Sequence, residues 1–350
     1  MALAPVIVRS RFAKLVREGY FVKKHQVGAR VLYSIEKPTK DLDRDIEKYW
    51  QPRVVAQTKT DWNGDGKSDL LFYNLLDTSL RIDGQSVVFP GPLHGEGTPL
   101  LAASFGGDRR VDLLVGRLGD TVYKRGKRLS DVQEYVPWLW SYRGSDTGEW
   151  QPEYFRWLWD LDTPLLADLN HDGLAHHIAY RHRGGEWLEA PNGTLVGPVV
   201  NEAELPLPFA GRFLPGSGSD LGLWSVRTGM VSVRSVASGR TASFKCGGQP
   251  GDILVPGDYD GAGYDQVAVW ERSTRTWRWV RGADGPVSEA VFGTETGIPM
   301  PWDYNHDGRL DLAYWEPAEG KIVVSFNRGR TADLTVPVPA HSIPAFVNMY

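Results

Sequence analysis

A chain of 350 residues can bury a large core and hold one big domain or two ordinary ones. With 23% charged and 41% apolar residues and a net charge of −4, it lacks the basic surplus of a nucleic-acid-binding protein. No apolar run approaches the ~18 residues of a membrane helix. Glycine (39), proline (23) and tryptophan (14) are abundant, which favours many short strands and tight turns over helices.

Residues 1–52 predict three strands, APVIVRS, YFVKKHQ and ARVLYSIE, then a short helix over KDLDRDIEKYW. Residues 1–40 carry nine Lys/Arg against Glu18 and Glu36, leaving −11 on the remainder. That basic segment suits an acidic partner, or simply solvated strand faces. Leu3 to Val8 is too short for a signal-peptide core and runs at once into Arg9, so either a signal has been removed or export takes another route.

Residues 53–341 predict six units with one plan: an apolar strand, often begun by proline, a polar loop, and a second apolar strand. They read RVVAQTKTDWNGDGKSDLLFY, TPLLAASFGGDRRVDLLVG, TPLLADLNHDGLAHHIAY, LPLPFAGRFLPGSGSDLGLW, ILVPGDYDGAGYDQVAVW and IPMPWDYNHDGRLDLAYW. Their first loop positions are Asp61, Ser104, Asp168, Arg212, Asp258 and Asp303, at steps of 43, 64, 44, 46 and 45 residues. A period of ~40–50 residues with about four strands per unit is that of propeller blades, which stack because a lone sheet cannot bury both faces. SIPAFVNMY (342–350) matches the opening strand IPMPWDY, so the chain ends one strand into a further unit.

The expected fold is therefore all-β, one seven-bladed β-propeller domain of four-stranded antiparallel blades, with six or eight blades as alternatives. The N-terminal strands would pair with the C-terminal strand to close the ring and remove exposed edges. The long step predicts an insertion of about 20 residues at about 130–162. It supplies Trp138, Trp140, Trp150, Tyr154, Trp157 and Trp159 as candidate ligand or partner contacts, since long excursions commonly carry function.

Two loops are complete, Asp61-Trp-Asn63-Gly-Asp65-Gly-Lys67-Ser-Asp69 and Asp303-Tyr-Asn305-His-Asp307-Gly-Arg309-Leu-Asp311. Oxygen side chains stand at positions 1, 3, 5 and 9, with glycine at 6 for a sharp turn. Calcium takes six to eight oxygens at roughly 2.3–2.6 Å, and these side chains with the carbonyls of Lys67 and Arg309 meet that demand. Phe72 and Tyr314 at position 12 exclude an EF-hand. The structural alternative is a set of Asx-turns used for their backbone habits.

The other loops are graded. Asp168, Asn170 and Asp172 persist with His176 at position 9, which predicts a third, weaker site. Asp258 and Asp260 persist as weaker calcium ligands too, with Ala262 at position 5 and either Asp265 or Gln266 at position 9. The second unit (Asp108, Asp112) and the fourth (Arg212 to Asp220) are expected to be metal-free.

The pattern P-x-x-x-D-x-[DN]-x-D-G-x-x-D-[LI] followed by an aromatic resembles the FG-GAP/VCBS repeats of integrin α-chain propellers, bacterial surface proteins and certain fungal lectins. The resemblance runs from about residue 53 to the end, and the second half is closest to the bacterial and lectin versions. The Phe-Gly pair is absent before most loops. The resemblance implies calcium ligands at Asp61, Asn63, Asp65, Asp69, Asp303, Asn305, Asp307 and Asp311.

The single Cys246 excludes an internal disulfide, and no nucleophile elbow, phosphate loop or zinc-protease motif is present. His176, His177 and His182 cluster in sequence, as a transition-metal site or as ordinary strand residues. Trp187, Trp224, Trp270, Trp277 and Trp315 recur as sugar-stacking platforms or as packing between blades. The expected function is a calcium-stabilised binding module, not an enzyme, engaging protein or carbohydrate at the cell surface or in a secreted assembly. The alternatives are a lectin with inter-blade sugar sites, a structural subunit, and the propeller part of a polysaccharide- or phosphodiester-cleaving enzyme.

Overall fold

A computed structural model describes residues 21–27, 30–36, 61–63, 65, 69–74, 79–82, 85–88, 100–104, 110–118, 122–124, 133–135, 137–144, 150–159, 162–182, 184–190, 193–199, 206–216, 218–249, 251–282, 285–326 and 328–344. The chain is an all-β propeller. Four antiparallel sheets are each made of four consecutive strands. In the third unit these are Asp162–Ala167, His176–Arg181, Glu186–Glu189 and Gly193–Leu195, and the fourth, fifth and sixth units repeat the plan over 206–245, 253–291 and 298–337.

Burial falls from the inner strands to the outer one, as stacked blades require. In the fourth unit Asp220–Ser225 is buried throughout, Met230–Ser235 buries alternate residues, and Thr241–Lys245 is exposed or half-buried along its length. A strand with neighbours on both faces reads as a continuous apolar run, whereas a strand with one wet face alternates.

Two further four-stranded sheets join these. One contains Leu100–Ala103, Asp112–Leu118, Pro137–Arg143 and Trp150–Trp159. The excursion expected at 130–162 is thus largely blade: its aromatic residues lie on the two outer strands. Part of the extra length forms the pair Val122–Lys124 and Gln133–Tyr135, between the second and third strands. The side chains of Trp138, Trp140, Trp150, Tyr154, Trp157 and Trp159 lie outside the described residues.

The last sheet corrects the expected ring. Ser342–Pro344 pairs antiparallel with Leu71–Asn74 and becomes the innermost strand of the first unit, ahead of Ser79–Ile82 and Gln85–Val88. Phe21–Val27 and Arg30–Glu36 pair with each other as a separate two-stranded sheet. Among the described residues there are six four-stranded sheets, and the C-terminal strand does not pair with the N-terminal ones. The physical reason is register. A strand that matches the opening strand of a unit fits an existing sheet, and the strands after Asp69 offer a ladder of the right pattern. The predicted helix at 40–50 and the side chains of the basic segment fall outside the described residues.

The core lies between sheets. Leu165, Tyr180 and Trp187 of the third unit meet Leu221 and Leu223 of the fourth. Phe209, Trp224 and Val233 of the fourth meet Leu254 and Val269 of the fifth. Trp270, Trp277 and Tyr259 of the fifth meet Met300, Trp315 and Val324 of the sixth, and Leu70 and Phe72 of the first unit pack on that cluster. Trp187, Trp224, Trp270 and Trp277 are at most 2% exposed and Trp315 is 4% exposed. The indole N–H groups of Trp187, Trp224 and Trp277 donate to the carbonyls of Pro198, Cys246 and Phe292 at 3.2, 2.9 and 2.8 Å. These five rings are therefore packing residues and not sugar platforms. Each contributes roughly 1.5–3 kcal/mol or more through burial.

Candidate ion-binding loops

In the third, fifth and sixth units the loops between the first and second strands share one conformation. The residue at position 4 (His171, Gly261, His306) has φ of 63°, 73° and 59°, and the glycine at position 6 (Gly173, Gly263, Gly308) has φ of 86°, 76° and 84°. This repeat of left-handed residues settles the alignment in the fifth unit. Gly263 is position 6, so Gln266, not Asp265, is position 9. His171 and His306 are exposed.

Side-chain oxygens then wrap the loop's own amides. The N–H at position 5 donates to the carboxylate at position 1 in four loops: Asp65 to Asp61 (3.1 Å), Asp172 to Asp168 (3.2 Å), Ala262 to Asp258 (3.2 Å) and Asp307 to Asp303 (3.0 Å). The same N–H reaches the oxygen at position 3: Asn63 (2.8 Å), Asn170 (3.2 Å), Asp260 (3.1 Å) and Asn305 (2.9 Å). The glycine N–H at position 6 returns to position 1 in three loops, at 3.0 Å in Asp168 and Asp303 and 2.7 Å in Asp258. Oxygens of positions 1 and 3 thus wrap the amide of position 5, which is the Asx geometry that sequence alone allows.

Position 9 performs a different task from the expected one. Its side-chain oxygen accepts from the N–H of position 2: Asp69 from Trp62 (2.7 Å), Asp220 from Phe213 (2.8 Å), Gln266 from Tyr259 (2.7 Å) and Asp311 from Tyr304 (2.9 Å). The fourth unit, which has no acidic cluster, keeps this bond, so it is a loop closure independent of any ion. Its signal was present in the sequence as Asp220, an acid retained where the others are lost. Beneath the loop the position-2 tyrosines anchor through their hydroxyls: Tyr259 donates to Val255 O (2.7 Å) and Tyr304 to Met300 O (3.1 Å). In the third unit position 9 is His176, whose Nδ1 lies 2.7 Å from Glu189 Oε1.

Each loop is also tied to the preceding one. The N–H at position 8 donates to the carbonyl of position 1 in the unit before it: Val111 to Asp61 and Ala175 to Ser104 at 2.9 Å, Ser219 to Asp168 and Asp265 to Arg212 at 2.7 Å, and Leu310 to Asp258 at 2.8 Å. Asp265 adds a second tie, accepting from Arg212 N at 2.7 Å. Burial pushes its carboxyl up to about 6 despite that amide, with Asp258 adding like-charge repulsion.

In the sixth-unit loop, burial pushes the Asp311 carboxyl up to about 7, and the charges of Asp307 and Asp303 add to this against the amide of Tyr304. Three carboxylates therefore repel one another across one turn, which a cation would relieve. Among the described residues no three His, Cys, Asp or Glu side chains already converge as a metal centre. In both complete loops an asparagine supplies position 3 and the position-9 acid is drawn to an amide. The donor set that fits a hard cation is thus positions 1, 3 and 5. Carboxylates have lone pairs to spare beyond the amide bonds. Lys67 lies outside the described residues; Arg309 N is held in the turn by donating to Asp307 Oδ1 at 2.9 Å.

The histidines do not meet. His176 stands at the ion-loop end of its strand, while His182 lies beyond the opposite end, 2.8 Å from Thr163 Oγ1. His177 is largely buried, and burial holds its pKa down at about 4. Burial likewise pushes the Cys246 thiol up to about 12, so it is an inert core residue. Among the described residues no helix is long and apolar enough to cross a membrane.

No family model and no curated protein sequence matches the chain. Solved structures of propeller-sized chains do. One is an Agrocybe aegerita lectin that recognises non-reducing terminal N-acetylglucosamine, with 11% identity, a TM-score of 0.46, and coverage of 79% of this chain and 94% of that one. Another is apo AztD from Citrobacter koseri, with 9% identity, a TM-score of 0.40, and coverage of 78% and 95%.

Proposed function

We propose that this chain is a non-catalytic binding module, a six-bladed propeller of the FG-GAP/VCBS type closed by its C-terminal strand and stiffened by calcium. The observation that supports the ion is the repeated loop geometry: the oxygens of positions 1 and 3 meet on the amide of position 5 in both complete loops, with that residue's own acid next in the turn. Asp61, Asn63 and Asp65, and Asp303, Asn305 and Asp307, would hold calcium, with the position-7 carbonyls of Lys67 and Arg309 completing the shell. Asp69 and Asp311 close their loops and lend charge from behind. The loop at Asp168, Asn170 and Asp172 is the weaker third site. With so few carboxylates these sites suit the higher calcium outside cells, and so a cell-surface or secreted setting.

The ligand surface in this reading is the second unit, whose long hairpin sets it apart and whose outer strands carry Trp138, Trp140, Trp150, Tyr154, Trp157 and Trp159. Aromatic faces stack on sugar rings, which makes carbohydrate the first partner class to test and protein the second. The test is a glycan array and calorimetric titration with N-acetylglucosamine oligomers, in millimolar calcium and in EGTA. Expected is binding that weakens at least tenfold in Trp140→Ala or Trp157→Ala variants with unchanged folding. Absence of glycan binding in both conditions removes the carbohydrate reading and leaves a protein partner.

A further inference from the structure

The fifth-unit loop departs from the others in charge. At the ligand positions it has two carboxylates, Asp258 and Asp260, where the sixth has Asp303, Asp307 and Asp311, because Ala262 stands at position 5 and Gln266 at position 9; its other acid, Asp265, is turned to Arg212 N of the preceding loop. Position 3 is the reverse: an ionised Asp260 replaces the neutral Asn63, Asn170 and Asn305. Both carboxylate oxygens of Asp260 are engaged by donors of this same blade. Its Oδ1 accepts from Ala262 N (3.1 Å) and from Gln266 Nε2 (3.1 Å), and its Oδ2 pairs with the guanidinium of Arg281. Gln266 Nε2 is fixed in turn by Tyr264 O at 2.7 Å.

Arg281 is placed there by register. Val280 faces Val267, so the next residue out falls opposite Gln266. In the sixth unit Ser325 faces Leu312, and the residue opposite Asp311 is Phe326; in the fourth, Asp220 faces Ser235. Among these three units a cationic side chain occupies that place only beside the loop that lacks a third carboxylate and carries an acid at position 3. A guanidinium is always charged at neutral pH and offers several donors to a carboxylate.

We propose that Arg281 is the resident cation of the 258–266 loop, so that this blade holds its turn without a divalent ion. The proposal rests on the calcium reading of the neighbouring loops and assigns the fifth loop to a different class from the first and sixth. Arg281 then acts as a specificity residue for its own loop, which it withholds from calcium.

The test is calorimetric titration of the full chain with calcium chloride, beside thermal melts in EGTA. Native protein and Asp258→Asn are expected to bind the same number of ions, and Asp303→Asn one fewer. Restoring the third carboxylate alone, Ala262→Asp, adds no site, whereas Ala262→Asp with Arg281→Gln adds one. A site lost in Asp258→Asn, or gained in Ala262→Asp alone, overturns the proposal. If native protein binds no calcium, the calcium reading fails by itself, and the melts in EGTA judge Arg281. There Arg281→Gln is expected to lower the midpoint by a few degrees, Arg281→Lys to lower it less, and Arg281→Gln in an Asp260→Asn background to change little. An equal drop in both backgrounds overturns the proposal.

Discussion

The acid at position 9 shows how one side chain serves two demands. Asp220 is 1% exposed and accepts from Phe213 N (2.8 Å) and Leu214 N (2.7 Å) in a loop with no ion cluster. Burial raises its pKa, so the site favours an acceptor more than a charge. Asp220→Ala leaves one buried and one half-buried amide unsatisfied and is expected to cost about 2–3 kcal/mol, while Asp220→Asn keeps the acceptor and costs about 1 kcal/mol or less. Chemical denaturation in EGTA and in calcium should give the same losses, because no ion is involved; a loss that appears only with calcium present would contradict the closure role. His177 makes the complementary pH prediction. Its folded pKa of about 4 lies below the ordinary 6.5, so the unfolded chain binds its proton first on acidification. The stabilisation is whole above pH 6.5 and is lost as pH falls towards 4, by at most about 3 kcal/mol. His177→Gln should flatten melting midpoints measured between pH 6.5 and 4.5 relative to native protein, and an unchanged slope would assign the acid sensitivity to another group.

At the scale of elements the loops form a belt, each leaning on the one before. A Cβ on Gly218 would come within 2.0 Å of the Leu169 carbonyl, and one on Gly261 within 2.8 Å of Arg309 Cγ, so adjacent loops touch. Gly173 has the same left-handed backbone (φ 86°) but open space around it. Alanine at Gly173 should therefore cost only the backbone strain, about 1 kcal/mol, whereas alanine at Gly218 adds a clash with a main-chain carbonyl and should cost about 3 kcal/mol or more. Urea midpoints of the two variants check this, and equal losses would show that the loops do not bear on each other. Little of this belt was legible beforehand. The strand–loop–strand plan and the loop spacing are local patterns, so they appear in the sequence directly. The bonds from position 8 to the preceding unit are made by main-chain groups, which leave no mark on residue type. Arg281 was hidden for a related reason: it lies 21 residues from Asp260, and only the sheet register brings them together.

For the whole molecule, the repeat made the propeller readable, and the described residues form six four-stranded sheets, the number expected as an alternative to seven. In sequence the C-terminal strand reads as the start of a unit, and the N-terminal strands complete it because pairing them would remove exposed edges. The structure gives Ser342–Pro344 to the first unit instead, where Leu71–Asn74 presents a matching edge and Leu70 and Phe72 face the sixth-unit core. Strand pairing between chain ends is a long-range choice that composition and period do not encode. It also sets what calcium can do. Because the C-terminal strand lies in the first unit's sheet, strengthening the loops at 61–69 and 303–311 stiffens the first and sixth units, which that strand links. An ion that binds only the folded chain at a hundredfold excess over its Kd stabilises it by about 2.7 kcal/mol per site. Two sites therefore raise the melting midpoint by about 5–10 °C in a chain of this size. Native protein is expected to show that rise between EGTA and calcium, with magnesium giving much less because it loses water reluctantly. Asp303→Asn should halve the shift and Asp61→Asn with Asp303→Asn should nearly abolish it. A double variant that keeps the full calcium shift would place the ion elsewhere in the molecule.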